Sequence, residues 1–207
     1  MQMKKAYFID LDNTIYFTRP HVDILLGPLY NLLEKEDLGI SKADFEKAKE
    51  DMLSTPFQKV AQKYNFNAEA VVKAIAYLSE KVVTAPLAVH NQYRYVKALS
   101  GLKIIVTAGF EKSQRSKIEM LGIADDFDEV YVVDVDKENK KDAFAKLLKK
   151  HNLKLEDVLV IGDDAKSEIK YGLELGLDTF LFDPDGRFAE PETTYHKKTF
   201  EDLASIK

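Results

Sequence analysis

Short apolar segments that alternate with helix-like stretches constrain the fold of this chain more than any other feature. Five of these segments have little polar interruption. They lie at residues 6–9, 102–106, 130–133, 158–161 and 179–182. Helix-like stretches separate the later segments. They lie at residues 111–120, 140–150 and 166–175. Strands that are apolar along their whole length are buried on both faces, and their alternation with helices is typical of a parallel sheet.

The first apolar segment is separated from the second by a long region with helical periodicity, from about residue 19 to residue 99. The apolar residues within 24–33 recur at helical spacing. Ser41 is predicted to be the N-cap of one helix, and Asn67 the N-cap of another that continues through Val82. None of this region shows the alternation of a strand, so we expect it to be all-helical.

These patterns predict an α/β fold, with a Rossmann-like doubly wound parallel sheet as its core and an inserted all-helical cap domain. The core is predicted to comprise residues 1–16 and 98–207, and the cap residues 17–97. The C-terminal stretch 183–207 is expected to be irregular and then weakly helical at 200–206.

The composition excludes several kinds of site and partner. The 207 residues include no cysteine, which excludes disulfides, cysteine-ligated zinc and thiol nucleophiles. The net charge of −5 is unsuited to binding a nucleic acid polymer. The longest apolar run has five residues, whereas a membrane span needs about 18. We therefore expect no nucleic acid partner, no membrane segment, no signal peptide and a cytoplasmic location.

Polar residues stand at the ends of three predicted strands. Asp10 ends the first strand, Thr107 the second, and Asp163 the fourth, while Lys140 begins the helix after the third strand. Ligands of open α/β sheets bind beyond the carboxyl ends of the strands. We therefore expect these side chains to converge at one edge of the sheet.

Clustered carboxylates together with a lysine suit a phosphoryl group. Oxygen-only ligands favour magnesium, and a magnesium ion with a lysine can neutralise the charge of a phosphate. One carboxylate can attack phosphorus, and a second can transfer the proton of the leaving group and then that of water. Asp10 and Asp12, two residues apart, are placed for these two tasks.

The strand-end segments resemble, in order, four motifs of the haloacid dehalogenase superfamily. Residues 8–14, Phe-Ile-Asp-Leu-Asp-Asn-Thr, resemble the first motif, and 105–109, Ile-Val-Thr-Ala-Gly, the second. Lys140 resembles the third motif, and Ile-Gly-Asp-Asp at 161–164 the fourth. The resemblance covers about residues 4–15 and 100–182.

The resemblance implies a role for each matching position. Asp10 would be the nucleophile, and Asp12 the general acid and base, with its backbone carbonyl also on the metal. The implied catalytic residues are Asp10, Asp12, Thr107 and Lys140. The implied phosphate-binding residues are Thr107, Ala108, Gly109 and Lys140. The implied ligands of the Mg²⁺ cofactor are Asp10, Asp12, Asp163 and Asp164.

Two assignments stay open on the sequence alone. The third motif could use Lys141 instead of Lys140, because both stand at the start of the helix at 140–150. Glu168 occupies a position where the family often has a further acid, so either Asp164 or Glu168 could contribute to the metal site.

The expected function is a magnesium-dependent phosphatase that hydrolyses a small phosphorylated metabolite through an aspartyl-phosphate. An acid at residue 12 favours phosphoester cleavage over dehalogenation, because halide needs no proton. Residues 10–16 are similar to those of pyrimidine-nucleotidase-like relatives, which favours nucleoside monophosphates. The alternatives are a sugar-phosphate mutase of the β-phosphoglucomutase type and a catalytically idle scaffold relative. A monomer or a homodimer is expected.

Overall fold

The computed structural model describes residues 4–206 and contains a six-stranded sheet in the order β3-β2-β1-β4-β5-β6. All neighbouring strands pair in parallel, as the sequence predicts. The strands are β1 (Ala6–Ile9), β2 (Leu102–Ala108), β3 (Glu129–Val133), β4 (Val158–Gly162), β5 (Asp178–Phe182) and β6 (Tyr195–Lys197). The reversal of strand order at β1 places the ends of β1, β2 and β4 side by side.

The helices lie between these strands in sequence. They are α1 (Val22–Leu25), α2 (Gly27–Leu33), α3 (Lys42–Asp51), α4 (Phe57–Tyr64), α5 (Ala68–Glu80), α6 (Tyr93–Lys97), α7 (Glu111–Leu121), α8 (Lys140–Lys150) and α9 (Glu168–Glu174). Single 3₁₀ turns lie at Arg19–His21, Ala124–Asp126, Leu155–Asp157 and Leu203–Ser205. No helix in the described part of the chain is both long and apolar enough to cross a membrane.

The central strand β1 is buried on both faces, as its continuous apolar sequence predicts. Because successive strand residues point to opposite faces, Ala6 and Phe8 pack on one side and Tyr7 and Ile9 on the other. Phe8 stacks on Phe144 of α8 with ring centroids 5.5 Å apart. The opposite cluster includes residues of α6, α7 and the C-terminal segment. Apolar layers on both faces confirm the doubly wound arrangement.

Helices α1 to α5 lie between β1 and β2, and α2 to α5 share an apolar core of their own. Its buried members include Leu29, Phe45, Phe57, Phe66 and Leu78. A region with its own core packs as a separate unit. We propose that this helical region is the cap that the sequence predicts within 17–97.

Helix α6 packs with the sheet instead of with the helices before it. Tyr93 and Val96 belong to the same buried cluster as Tyr7 and Ile9. We therefore place the end of the proposed cap near Glu80, before the boundary expected at 97–98.

The region before β2 also departs from the helical expectation. The N-cap role of Ser41 is confirmed, since its Oγ accepts from the backbone N–H of Asp44 at 3.1 Å. The helix expected to reach Val82 ends at Glu80, and Val82 is exposed. The following β-branched residues and Pro86 oppose helix, which accounts for the earlier end.

The C-terminal region contains a strand that the sequence pattern did not reveal. Strand β6 pairs in parallel with β5 at the edge of the sheet, although its three residues, Tyr-His-Lys, show no apolar run. The helix expected at 200–206 is a single 3₁₀ turn. Phe200 is fully buried there and stacks on Phe182 at 4.1 Å between centroids.

Gly172 lets α9 approach the sheet closely, so the variant Gly172→Ala should destabilise the fold. A Cβ at this position would lie 2.8 Å from the methyl carbon of Thr179 and 3.1 Å from that of Val160. Overpacking of this kind costs about 1–3 kcal/mol. Urea unfolding should give a lower free energy of unfolding than for wild type. In the control Gly27→Ala, a Cβ would meet nothing within 4 Å, so stability should be unchanged or slightly higher. Equal stability of both variants would contradict this packing argument.

Candidate active site

The adjacent ends of β1, β2 and β4 bring the predicted site residues together. Asp10 directly follows β1, and its backbone N–H donates to the carbonyl of Ile161 at 2.9 Å. Asp163 directly follows β4, and Thr107 lies near the end of β2. Lys140 is the first residue of α8, where a capping box of Asn139 and Asp142 fixes the start of the helix.

Lys140 is the lysine that reaches the carboxylates. Its Nζ lies 2.5 Å from Asp10 Oδ1 and 2.8 Å from Glu168 Oε2, and the side chain is buried. Lys141 points elsewhere and pairs with Glu174 at the surface, at 2.9 Å. Of the two lysines that the sequence left open, only Lys140 lies at the strand ends.

Three buried carboxylates form a compact group of oxygens. One oxygen each from Asp10, Asp163 and Glu168 lies within 4.8 Å of the other two. Glu168 folds back over Gly162, where a Cβ would lie 2.2 Å from Glu168 Oε1. Asp164, which the sequence placed on the metal, lies outside this group, and its Oδ1 accepts from the backbone N–H of Lys166 at 2.8 Å.

Burial and repulsion between carboxylates raise the pKa values of Asp10 and Asp163. Burial raises the pKa of Asp10 well above its ordinary value; the Lys140 ammonium opposes this rise, and the carboxylates of Glu168 and Asp163 add to it. Burial and the nearby Glu168 carboxylate raise the pKa of Asp163 to about 7. An oxygen-only group that is short of positive charge fits a hard divalent cation such as Mg²⁺.

Asp12 has a different environment from Asp10. Lys117 Nζ lies 2.8 Å and 3.1 Å from the two carboxylate oxygens of Asp12, Gln114 Nε2 donates to it at 3.0 Å, and the Tyr16 hydroxyl donates to it as well. Burial by itself would raise the pKa of Asp12, but Lys117 and these hydrogen bonds outweigh it and hold the pKa below its ordinary value. Asp12 therefore rests in its ionised form.

The segment after β2 supplies the predicted phosphate-binding residues. Thr107 is buried, and its Oγ1 accepts from Gln114 Nε2 at 2.5 Å. Ala108 and Gly109 line the same cavity. The backbone N–H of Gly109 already donates to the carbonyl of Val133 at 3.1 Å. Thr107 and Asp12 thus both accept from Gln114 Nε2, while the Gly109 amide is engaged with β3.

A cavity of about 380 Å³ lies above these strand ends. Its floor is formed by the acidic residues and Lys140, and its walls by Gln114 and Lys117 of α7 and by side chains from the helical region before β2. Pockets of this size hold small molecules.

A family model described as haloacid dehalogenase-like hydrolase matches residues 4–176, which is most of the chain. The chain belongs to this family.

Two curated relatives of this haloacid dehalogenase-like hydrolase are named glyceraldehyde 3-phosphate phosphatase. The protein from Pyrococcus furiosus is 24% identical over 213 residues, covering 94% of this chain and 87% of that protein. The protein from Methanocaldococcus jannaschii is 28% identical over 195 residues, covering 86% of this chain and 84% of that protein.

Solved structures of the family share the fold. The hydrolase YfnB from Bacillus subtilis, described as bound to magnesium, superposes with a TM-score of 0.68 at 20% identity, covering 99% of this chain and 98% of that one. A phosphatase of the family from Thermococcus onnurineus gives a TM-score of 0.63 at 19% identity, with 97% and 96% coverage.

Sequence reasoning missed several residues around the site of this hydrolase. Gln114 and Lys117 are one turn apart on α7, and polar residues at that spacing also fit an exposed helix face. Their position on the helix that directly follows Thr107 is the signal that could have found them. Arg187 Nη2 lies 2.9 Å from Asp163 Oδ2 and 2.7 Å from the Asp163 carbonyl oxygen, from a loop far away in sequence. No motif marks Arg187.

Asp183, at the end of β5, anchors the loop that carries Arg187. Its fully buried carboxylate accepts from the backbone N–H groups of Arg187 at 2.8 Å and Phe188 at 3.1 Å, and contacts His196 Nε2 at 3.0 Å. Burial alone would raise the pKa of Asp183, but the His196 contact and the two backbone N–H groups outweigh it and lower the pKa below its ordinary value.

Asp183→Asn should therefore lower the free energy of unfolding near pH 7 by about 2 kcal/mol, because a charge-assisted set of hydrogen bonds is weakened. A carboxyl with a lowered folded-state pKa stabilises the fold above its unfolded pKa of about 3.9, and this stabilisation is lost as pH falls through the folded value. The difference between wild type and variant should thus shrink in urea titrations below about pH 4. The exposed neighbour Asp185→Asn is the control and should match wild type. A difference that persists undiminished at acid pH would contradict the role of the charge.

Proposed function

We propose that this protein is a divalent-metal-dependent phosphatase in which Asp10 forms an aspartyl-phosphate. One observation supports this above others: Asp10 is held by Lys140 beside two buried carboxylates, and Asp12 faces the same cavity from the same turn. That pairing supplies a nucleophile, its counter-charge and a separate proton carrier within one site.

In the proposed first step, a carboxylate oxygen of Asp10 attacks phosphorus as the bond to the leaving oxygen breaks. Asp12 gives that oxygen a proton. In the second step, Asp12 takes a proton from water, and the resulting hydroxide attacks the aspartyl-phosphate to release phosphate and restore Asp10. Lys140 offsets the charge on Asp10 and the phosphoryl oxygens throughout.

Asp12 must change its protonation state between these steps. At rest Lys117, Gln114 and Tyr16 favour its ionised form, which is the form that accepts a proton from water. A phosphate dianion beside Asp12 raises the pKa of its carboxyl through repulsion of like charges. Substrate binding itself thus favours the protonated form that the first step needs.

The residues Asp10, Asp163 and Glu168 would hold Mg²⁺, with the backbone carbonyl of Asp12 as the further ligand that the family resemblance implies. When bound, the ion supplies positive charge for the phosphoryl oxygens. Support comes from the oxygen-only donor set and from the magnesium described in the related YfnB. We propose Glu168, and not Asp164, as the third acidic ligand.

The substrate is proposed to be a small phosphorylated metabolite. The cavity volume and the two relatives named glyceraldehyde 3-phosphate phosphatase support this class. The preference for nucleoside monophosphates, the cytoplasmic location and the monomeric or homodimeric state stay predictions. The match to a hydrolase family model and the phosphatase relatives favour hydrolysis over the mutase and scaffold alternatives.

Wild-type protein should release phosphate from p-nitrophenyl phosphate with Mg²⁺ and stop when EDTA is added. Asp10→Asn should lower kcat at least about a thousandfold, because no nucleophile remains. Phosphate release in stopped assays measures activity, and circular dichroism of the same samples measures folding. Asp185→Asn removes an exposed acid instead and should keep wild-type activity. Substantial turnover by folded Asp10→Asn would contradict the assigned nucleophile.

A second pair of variants tests whether Lys140 or Lys141 is the lysine of the site. Lys140→Met should lower kcat about 10²–10³-fold, because the charge on Asp10 and the transferred group loses its partner. Lys141→Met removes a surface ion pair with Glu174 and should stay within about twofold of wild type, because exposed pairs contribute little. The opposite ranking would move the third motif to Lys141.

A further inference from the structure

The charged residues at the floor of the cavity are mostly acidic, and those on the wall from the helical region are positive. Its acidic lining residues all come from the strand ends and the start of α9. They are Asp10, Asp12, Asp163, Asp164 and Glu168. The described lining residues that lie between Asp12 and the start of β2 include two charged side chains. These are Lys59 and Lys81, and both are positive. The side of the cavity that faces the helical region therefore offers positive charge only.

Lys81 is the unusual member of this wall. It follows α5 directly and is only 9% exposed, whereas Lys59 is exposed. Within residues 4–206 its ammonium donates to one acceptor, the carbonyl oxygen of Leu25, and forms no ion pair. A buried ammonium has three N–H donors, and leaving it without a counter-charge is costly.

A second cation reinforces the positive potential at this wall. Burial and the nearby Lys117 ammonium lower the pKa of Lys81 to about 8. Lys81 is therefore still mostly protonated at neutral pH. Lys117 is itself paired with Asp12. Of these two lysines, Lys81 is therefore the one whose ammonium has no carboxylate partner among residues 4–206.

The phosphoryl group of a substrate would lie at the floor, beside Asp10 and Lys140, so the rest of the substrate extends toward this wall. We propose that the leaving group carries a second anionic group, a carboxylate or a further phosphate, and that Lys81 binds it. This inference rests on the proposed phosphatase function and names its substrate class.

Matched substrates test the preference directly. Glycerol 3-phosphate and 3-phosphoglycerate share a three-carbon chain and one phosphate, and only the second has a carboxylate. Propane-1,3-diol monophosphate and bisphosphate form the corresponding pair for a second phosphate. Wild-type kcat/KM should be higher for the anionic member of at least one pair by about tenfold or more. A ratio near one or below in both pairs overturns the proposal.

Variants of Lys81 assign the preference to this residue. Lys81→Met keeps the length and removes the charge, so the ratio within the preferred pair should fall toward one, with the loss falling on the anionic substrate. Lys81→Arg should retain most of the ratio. Lys112→Met, which removes an exposed lysine of α7 paired with Glu80, is the control and should leave the ratio unchanged.

A purely structural role for Lys81 predicts the opposite result for the substrate ratio. If the ammonium serves only to hold the Leu25 carbonyl, Lys81→Met should lower the melting temperature and keep the ratio at its wild-type value, which overturns the proposal. Lys81→Gln, which can still donate to that carbonyl, provides a second uncharged variant should Lys81→Met not fold. Its ratio should also fall toward one.

The same assays separate this inference from the phosphatase proposal. Failure to hydrolyse p-nitrophenyl phosphate with Mg²⁺ would refute the proposed function itself. Hydrolysis of p-nitrophenyl phosphate without any preference for the anionic substrates would refute the role of Lys81 alone.

Discussion

The placement of one ammonium among three buried carboxylates is the interaction on which the rest of the site depends. Lys140 contacts Asp10 and Glu168 directly, and without it their charges would be buried with little compensation. Three backbone features make the contact available. The capping box starts α8 at Lys140, the parallel register sets Asp10 beside β4, and Gly162 leaves room for Glu168.

Asp10 and Asp12 are two residues apart, yet their pKa values are shifted in opposite directions. Burial among carboxylates raises the pKa of Asp10, while Lys117 and hydrogen bonds from α7 lower that of Asp12. The helix after β2 thus shapes the chemistry of the loop after β1, although the two are distant in sequence. A metal ion would add positive charge beside Asp10, which shares the Lys140 ammonium with Glu168. Asp12 already has Lys117 as its counter-charge.

The sequence predicts best what depends on local pattern. Apolar runs located β1, β2, β3, β4 and β5, and the helix predicted at 140–150 narrowed the choice of lysine to Lys140 or Lys141. Contacts between the strand ends and side chains from later parts of the chain could not be predicted from local sequence pattern. The choice between Asp164 and Glu168 depends on the space above Gly162, and the contact of Arg187 with Asp163 depends on a loop held by Asp183. Strand β6 has too few apolar residues to be recognised, since it lies at the sheet edge.

The acidic floor of the cavity and the wall that carries Lys81 differ in how their charges are compensated. At the floor, Lys140 and Arg187 balance the acids only in part, so the floor is suited to a divalent ion and to the phosphoryl group that any phosphate ester carries. At the opposite wall, the protein buries Lys81 with a backbone carbonyl as its acceptor. A buried ammonium without a carboxylate lowers stability, so its presence is explained better by what enters the cavity than by what holds the fold together. We propose that the strand ends carry out the chemistry and that the helical wall selects the substrate.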